Sequence, residues 1–277
     1  MRAQKIRGLI SGVIGILVTA VLFIVPFIFI LTVAMKTRQE ANLLQFSWPE
    51  DMAFLENLIA VLEFRDNTVI RAFINSTVLT VASVALMIVF GAMIAYVIQR
   101  RPSKISKLIN GFVLAGLIIP PAVVPTIFLM QSLGIFKTLH GLIFIEVAFG
   151  LSFTILLFRA FIATIPRELD EAAIIDGAGP LRLFFQVVFP LLKSVIVTAV
   201  ILQSIFVFND FQNPLYFLPG DENVTVQLTL FNFQSQFLSQ YNLLFMDILL
   251  ITVPMLILFL VFNKRIVAGM TSGAVKG

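Results

Sequence analysis

The 277-residue chain has no cysteine and a single histidine, His140. The absence of Cys excludes disulfides, thiol catalysis and cysteine-based zinc sites. One His cannot build a metal centre by itself, so we expect neither a metal site nor catalytic residues. Charged residues are also scarce, at 12% of the chain, where an ordinary soluble domain has about a quarter.

Apolar residues, in contrast, are in large excess. They form 59% of the chain, with 29 phenylalanines, and the mean hydropathy is +1.03. A soluble protein of this length could not bury so much apolar surface. The composition therefore predicts an integral membrane protein surrounded by lipid, and we expect no nucleic-acid partner.

Six apolar runs reach the roughly 20 residues that a membrane-spanning helix needs. They are continuous, whereas the strands of a membrane barrel alternate apolar and polar residues. The first run is about twice as long as the apolar part of a signal peptide. The predicted fold is therefore all-α, a single transmembrane domain over residues 1–277. Its spans are predicted at about residues 8–35, 72–99, 108–130, 138–158, 191–208 and 243–262.

The positive charges predict how the spans are oriented. If the N-terminus is cytoplasmic, 14 of the 19 Lys and Arg residues fall on the cytoplasmic side. Membrane proteins keep an excess of these residues on that side. The sequence thus predicts a multi-pass protein of the cytoplasmic (inner) membrane with both termini in the cytoplasm.

The outer segment between the first two spans contains one amphipathic stretch. Pro49, Glu50 and Asp51 suit a helix start, and apolar residues then recur at helical spacing. These are Phe54, Leu55, Leu58, Ile59 and Leu62. We interpret this outer helix as lying on the chain's own membrane domain, and a docking surface for an external partner is the alternative.

Three acidic residues fall inside or at the ends of the apolar runs. Ionisable residues in a membrane are costly and mark possible functional sites. The predicted topology places Glu146, Asp210 and Asp247 near the external ends of their spans. They could accept hydrogen bonds from a sugar or from a docked binding protein. For Glu146 and Asp247 we favour the alternative that they reach the surface or pair with a neighbour such as Lys137. Asn209-Asp210 is the exception, because it lies in one of the family-like stretches given below.

Proline interrupts the third apolar run. Proline removes a backbone donor and kinks a helix, and broken helices often line transport pathways. A plain packing kink is the alternative explanation. The candidates for a substrate path are Glu146, Asn209, Asp210, Asp247, Pro120 and Pro121.

The segment 159–190, between the fourth and fifth runs, has the marks of two short helices. Pro166 suits a first helical turn, and the acids after it oppose the positive end of the helix dipole. Gly177 suits a left-handed helix end, and Pro180 can start a second helix. Small Ala172 and Ala173 beside acidic residues predict a knob that fits a groove on another protein, rather than an ordinary solvated loop.

Three parts of this segment together resemble a known motif. Glu171-Ala172-Ala173, Asp176-Gly177-Ala178 and Phe189-Pro190 are similar to the EAA motif of ATP-binding-cassette importer permeases, although Phe189 stands where Leu is usual. Other stretches resemble the carbohydrate-uptake branch of maltose-type and glycerol-phosphate-type permeases. These are Asn209-Asp210-Phe211 with Pro214-Leu215, Phe73-Ile74-Asn75-Ser76, and the C-terminal residues 269–277.

The resemblance implies that segment 159–190 is a coupling-helix loop seated in a cleft of a cytoplasmic ATPase. The residues implied to contact the ATPase are Arg167, Glu168, Glu171, Ala172, Ala173, Asp176, Gly177 and Ala178. The implied partners are two ATPase subunits, an external solute-binding protein and a second permease subunit, usually a different chain. The sequence has no Gly-x4-Gly-Lys-Ser/Thr phosphate loop, so we expect no cofactor in this chain, with ATP and Mg on the ATPase.

The predicted function is therefore a permease subunit that moves a sugar or sugar-like solute by alternating access. An importer of a non-sugar solute, such as a polyamine or phosphate, is the alternative. An intramembrane enzyme would need a convergent set of reactive groups, and a passive channel needs no ATPase-docking loop. We expect a transport subunit and not an enzyme.

Overall fold

The computed structural model describes residues 2–220, 222–233 and 240–272. Within these ranges every regular element is a helix, which confirms the predicted all-α class. Residues 273–277 of the C-terminal motif lie outside the described ranges. In chain order the elements are α1 (Arg2–Ala34), α2 (Arg38–Ala41), α3 (Phe54–Leu62), α4 (Phe64–Arg100), α5 (Lys104–Ile118), α6 (Val123–Ser132), α7 (Leu139–Ile162), α8 (Glu168–Ile175), α9 (Pro180–Arg182), a π-helical segment (Leu183–Val188), α10 (Phe189–Leu191), α11 (Lys193–Phe208), α12 (Gln212–Phe217), a 3-10 helix (Val226–Phe233) and α13 (Tyr241–Ser272).

Four helices in the described part of the chain are long and apolar enough to cross a membrane. They are Gly12–Ala34, Phe64–Arg100, Leu139–Ile162 and Tyr241–Phe262. Two further candidates are pairs of helices joined at a sharp bend, so the number of spans is six if each pair crosses as one. The third predicted span is therefore not a single straight helix, whereas the fifth, 191–208, is one helix apart from its first two residues.

The third predicted span, 108–130, is broken by its prolines. Helix α5 ends at Ile118, α6 begins at Val123, and the two axes differ by 118°. Ile119 adopts an extended conformation, with ψ of 123°, because a residue before proline is driven away from the helical region. Pro120 and Pro121 thus end one helix and redirect the chain, a larger effect than the kink the sequence analysis expected.

The fifth predicted span, 191–208, corresponds to α11 apart from its first two residues. The preceding segment, Pro180–Leu191, meets α11 at 77°. This segment includes the π-helical residues Leu183–Val188. Wide π turns often occur at functional sites, where they alter the direction of a helix.

One compact unit consists of Met1–Ile70 and Thr229–Pro254. Buried Asn57 on α3 donates to the carbonyl oxygens of Ala34 and Lys36, at 2.9 Å each, and accepts from Asn242 Nδ2 at 2.6 Å. It therefore joins α3, the end of α1 and the start of α13.

Helix α3 begins at Phe54 with Ala53 as its N-cap, slightly later than the predicted start at Pro49–Asp51. It packs into its unit through Asn57 and Val61, whereas Leu55 and Ile59 are 68% and 52% exposed. The predicted apolar stripe is thus only partly buried in this chain.

The other compact unit consists of Arg71–Leu228 and Met255–Gly277. Here α4 and α7 approach closely, since a Cβ on Gly150 would lie 2.6 Å from the Met87 sulfur. Gln203 of α11 donates to Gly150 O at 3.1 Å and to Thr154 Oγ1 at 2.8 Å. Small residues and buried hydrogen bonds of this kind are the usual means of joining helices in lipid.

We predict that Asn57→Leu destabilises the protein although it keeps a similar side-chain volume. The change removes three hydrogen bonds and leaves buried polar groups without partners, at a cost of about 1–3 kcal/mol for each such group. Thermal unfolding of the purified protein in detergent measures the loss. Glu56→Leu, on the exposed neighbouring position of α3, is the matched control, and equal melting temperatures for the two variants would contradict the prediction.

Candidate partner-binding loop and substrate-path residues

Helix α8 and the turn after it form the predicted knob. The C-terminal end matches the prediction, whereas the helix begins at Glu168 with Arg167 as its N-cap, so Pro166 lies before the helix and not in its first turn. Three acids stand in the first turn of α8. At the other end, Gly177 N donates to Ile174 O at 3.0 Å and Ala178 N to Ala173 O at 2.9 Å. Together with φ of +81° at Gly177, these two bonds form a complete Schellman motif. The turn is consequently rigid and sharply defined.

The eight residues implied to contact an ATPase do not all face outward. Ala173 and Ala178 pack against the apolar cluster of their own unit. The other six are exposed on the loop: Arg167, Glu168, Glu171, Ala172, Asp176 and Gly177. The geometry thus divides the set into two residues that anchor the knob and six that are available to a partner.

The sequence analysis missed a set of exposed apolar side chains on the same loop. Ile175 is 84% exposed, Leu181 66%, Ile174 59% and Leu169 42%. We call these four residues the apolar loop surface. Exposed apolar residues on a loop beside acidic groups are typical of a protein interface. The signal available in the sequence was the apolar pair Ile174-Ile175 at the end of the short helix α8.

A second missed feature is a buried ion pair beneath α8. Asp170 Oδ2 lies 2.9 Å from Arg100 Nε, and the side chains are 7% (Arg100) and 11% (Asp170) exposed. Arg100 Nη2 also donates to Ile165 O at 2.8 Å, and the Tyr96 hydroxyl donates to Asp170 Oδ2 at 3.4 Å. No signal in the sequence pointed to this pair, because Arg100 and Asp170 are 70 residues apart in the chain.

Two of the substrate-path candidates, Glu146 and Asp210, meet in the structure. Glu146 is only 1% exposed, and its carboxyl group interacts with that of Asp210. Glu146 Oε1 accepts from Asn213 Nδ2 at 3.2 Å. Asp210 Oδ1 accepts from the backbone N–H groups of Gln212 and Asn213, at 2.8 and 3.3 Å. Glu146 therefore does not reach the surface, because α12 folds back over it. Of the two expected alternatives it follows the second, with Asn213 rather than Lys137 as its neighbour.

The remaining candidates have separate surroundings. Exposed Asn209 accepts from Gln227 Nε2 at 3.2 Å. Asp247 belongs to the first compact unit, is 0% exposed and accepts from Thr229 Oγ1 at 2.8 Å, so it too is buried rather than at the surface. Pro120 and Pro121 are exposed in the break between α5 and α6.

Metal-binding capacity is limited in the described ranges. Across residues 2–220, 222–233 and 240–272, no three His, Cys, Asp or Glu side chains converge on one point. Glu146 and Asp210 offer two carboxyl groups. One oxygen of each, Glu146 Oε1 and Asp210 Oδ1, already accepts a hydrogen bond.

Comparison with known proteins shows which family has this architecture. Residues 87–272, about two-thirds of the chain, match the family model described as the inner membrane component of binding-protein-dependent transport systems. The chain belongs to this family. It is a multi-pass permease subunit of the inner membrane and not an enzyme, and the matched region includes both the Schellman turn and the Glu146–Asp210 contact.

Curated relatives extend the similarity to the whole permease. The melibiose/raffinose/stachyose import permease protein MelC of Bacillus subtilis (strain 168) is 33% identical over 100% of both chains. The diacetylchitobiose uptake system permease protein NgcG of Streptomyces coelicolor is 32% identical over 92% of this chain and 84% of its own length. The trehalose transport system permease protein SugB of Mycobacterium tuberculosis is 35% identical over 77% of this chain and 80% of its own length. These names confirm the predicted resemblance to the carbohydrate-uptake branch.

A solved structure has the same fold. It is a crystal structure of a bacterial ABC transporter involved in the import of the acidic polysaccharide alginate, and one of its chains matches with a TM-score of 0.83. The match covers 95% of the permease and 98% of that chain, at 20% identity. At this identity the likeness concerns the fold, which is that of an ABC transporter permease.

Proposed function

We propose that this permease is the subunit that moves a sugar across the membrane in an ATP-driven, binding-protein-dependent importer. The observation that supports this most strongly is the end-to-end similarity to a permease named for melibiose, raffinose and stachyose import. Further relatives named for diacetylchitobiose and trehalose share the assignment to saccharides. A non-sugar solute remains an outcome that the transport experiment below would reveal.

The proposed topology has six spans in a single domain over residues 1–277, with both termini in the cytoplasm. Each bent helix pair then counts as one crossing. The excess of Lys and Arg on one side supports this orientation. It places the loop of α8 in the cytoplasm, where an ATPase subunit would meet it, and α3 on the outer face.

In this proposal the loop of α8 docks into a cleft on the ATPase. The six exposed contact residues and the apolar loop surface would meet the ATPase, while Ala173 and Ala178 hold the loop to the permease. The combination of exposed Ile174 and Ile175 with nearby acids fits a protein interface, which has an apolar centre and a polar rim. The rigid Schellman turn supports docking because a preformed surface loses little conformational entropy on binding.

The complete importer would also contain a second permease, a second ATPase and an external solute-binding protein. ATP and Mg would bind to the ATPases. Closure of the ATPase pair would move the docked loop and switch the permease between inward-open and outward-open forms. Rigid-body movement of this kind about a central site is an established mode of transport.

We also propose that polar side chains near the outer end line the substrate path. The candidates are Asn209, Asp210 and Glu146, with Asp247 and the Pro120–Pro121 break as further elements. An open cavity of about 450 Å³ supports a path through the second unit, because Phe149, Phe153, Phe206 and Gln203 line it. Aromatic faces are a usual element of a sugar site.

Gentle purification of the permease from its own membrane, followed by mass spectrometry and reconstitution, tests the proposal. We expect an ATPase and a second multi-span protein to co-purify. In proteoliposomes that also contain the binding protein, ATP should drive uptake of raffinose, melibiose or trehalose, with spermidine and phosphate as comparison solutes. Uptake of only the comparison solutes would contradict the sugar assignment, and loss of the ATPase under mild conditions would contradict the docking role.

Gly177→Val is expected to reduce ATPase association several-fold while leaving membrane insertion intact. A β-branched residue cannot easily adopt φ of +81°, and left-handed geometry costs roughly 1–2 kcal/mol for a residue with a Cβ. No atom lies within 4 Å of a Cβ added at Gly177, so the effect comes from the backbone alone. Co-purification of the ATPase with the tagged permease measures the change.

Gly179→Val is the matched control for that substitution. Gly179 is in the same turn and has equally open surroundings, but its φ is −69°. Association should therefore stay near the wild-type level, and equal losses in both variants would contradict the backbone argument.

Glu171→Lys should weaken ATPase association by charge reversal on the exposed side of α8. The loss of a favourable interaction with the helix dipole costs only about 0.3–1 kcal/mol, so the loop should stay folded. Titration of the purified ATPase against the permease at low and high salt measures the effect, and salt should reduce the difference. Glu222→Lys, on the outer side in the proposed topology, should have no effect, and identical binding curves for all three proteins would remove the charge argument.

A further inference from the structure

Arg100 joins two parts of the loop to the end of a long helix. Arg100 is the last residue of α4. Its Nε lies 2.9 Å from Asp170 Oδ2 on α8, and its Nη2 donates at 2.8 Å to Ile165 O, which precedes α8. One guanidinium group therefore contacts α8 and the chain that leads into it.

Tyr96 adds a second contact from α4, one helical turn before Arg100. Its hydroxyl donates to the same Asp170 oxygen at 3.4 Å, and its ring lies 5.7 Å from that of Phe184 in the π-helical segment. Arg100, Asp170 and Tyr96 thus form one buried polar cluster, which we call the α4–α8 clamp. The clamp links the loop to α4 at a fixed position.

A buried ion pair is weak evidence for stability, because desolvation offsets most of the attraction between the charges. Separating the two groups, however, would leave each buried charge without a partner, which is strongly unfavourable. Buried charges of this kind are best attested as devices that fix registry between elements. In α8 the inward-facing apolar contact is small Ala173, whereas Leu169 and Ile174 are exposed, so the clamp supplies the directional link between α8 and α4.

We propose that Arg100, Asp170 and Tyr96 are positioning residues that transmit movement of the docked loop to α4. This inference rests on the proposed docking of the loop to an ATPase. When the ATPase displaces α8, the paired Arg100 moves with it, and α4 follows as a rigid helix. Energetic coupling of this type travels through hydrogen-bonded networks attached to rigid elements.

The cysteine-free sequence allows a direct test in the complete importer. Arg71→Cys places a single thiol on α4, at an exposed position just outside the predicted span 72–99, where a water-soluble reagent can reach it. Its labelling by a water-soluble maleimide is compared without nucleotide and with ATP plus vanadate, and co-purification of the ATPase is measured on the same samples. Arg100→Gln and Asp170→Asn should each retain the ATPase within about twofold of the parent. They should reduce the nucleotide-dependent change in labelling at least roughly fivefold.

Three variants separate a coupling role from a merely structural one. The exchanged pair, Arg100→Asp with Asp170→Arg, should restore much of the response, and Arg100→Lys should keep part of it because the charge remains. Arg101→Gln removes the exposed neighbouring arginine and should respond like the parent.

Each contrary result is informative. A normal nucleotide-dependent change in labelling in Arg100→Gln and Asp170→Asn overturns the proposal. It is also overturned if the labelling of α4 does not change with nucleotide in a parent that retains its ATPase. The proposal is also overturned if neither the exchanged pair nor Arg100→Lys recovers any of the nucleotide-dependent change in labelling. If the single variants lose the ATPase itself, the clamp only shapes the loop for docking. If the parent fails to retain an ATPase, the proposed function falls, and this inference with it.

Discussion

The lack of hydrogen-bond partners in lipid is the constraint on which this architecture depends. Backbone groups inside a bilayer must be satisfied within the protein, which favours continuous helices. The permease departs from this rule at residues 119–122 and at the bend before α11. Such departures are tolerated only where protein or a water-filled cavity surrounds the freed groups. Where these breaks lie within the membrane, protein or water must therefore satisfy the freed backbone groups.

Buried side chains follow the same constraint. Gln203 satisfies a carbonyl and a hydroxyl on α7, and Arg159 of α7 donates to Gln99 and Asn110 on two other helices. Glu146 Oε1 accepts from Asn213 Nδ2, so one oxygen of this buried carboxyl group has a specific polar neighbour. Polar residues in these helices therefore define which helices meet and in which register.

Sequence reasoning predicted the features that depend on local chemistry. Continuous apolar runs predict helices, because a run of 20 or so apolar residues has few alternatives, and Gly177 predicts the helix end because few other residues adopt its φ. The path of the chain after Pro120, and the position of α12 over Glu146, depend on contacts between distant residues. Asp170 was assigned to the helix dipole because its partner Arg100 is 70 residues earlier in the chain. No local pattern identifies such a partner.

The same distinction separates the shape of the loop from its attachment. The Schellman turn and the acids of the first turn are local, so they define the shape of α8. Its attachment is non-local and includes the α4–α8 clamp, packing against the π-helical segment, and the small anchors Ala173 and Ala178. Small anchors interlock little with their neighbours, whereas a buried charge pair resists separation. In the proposed mechanism, α8 would therefore move as a body and act on α4 through the clamp.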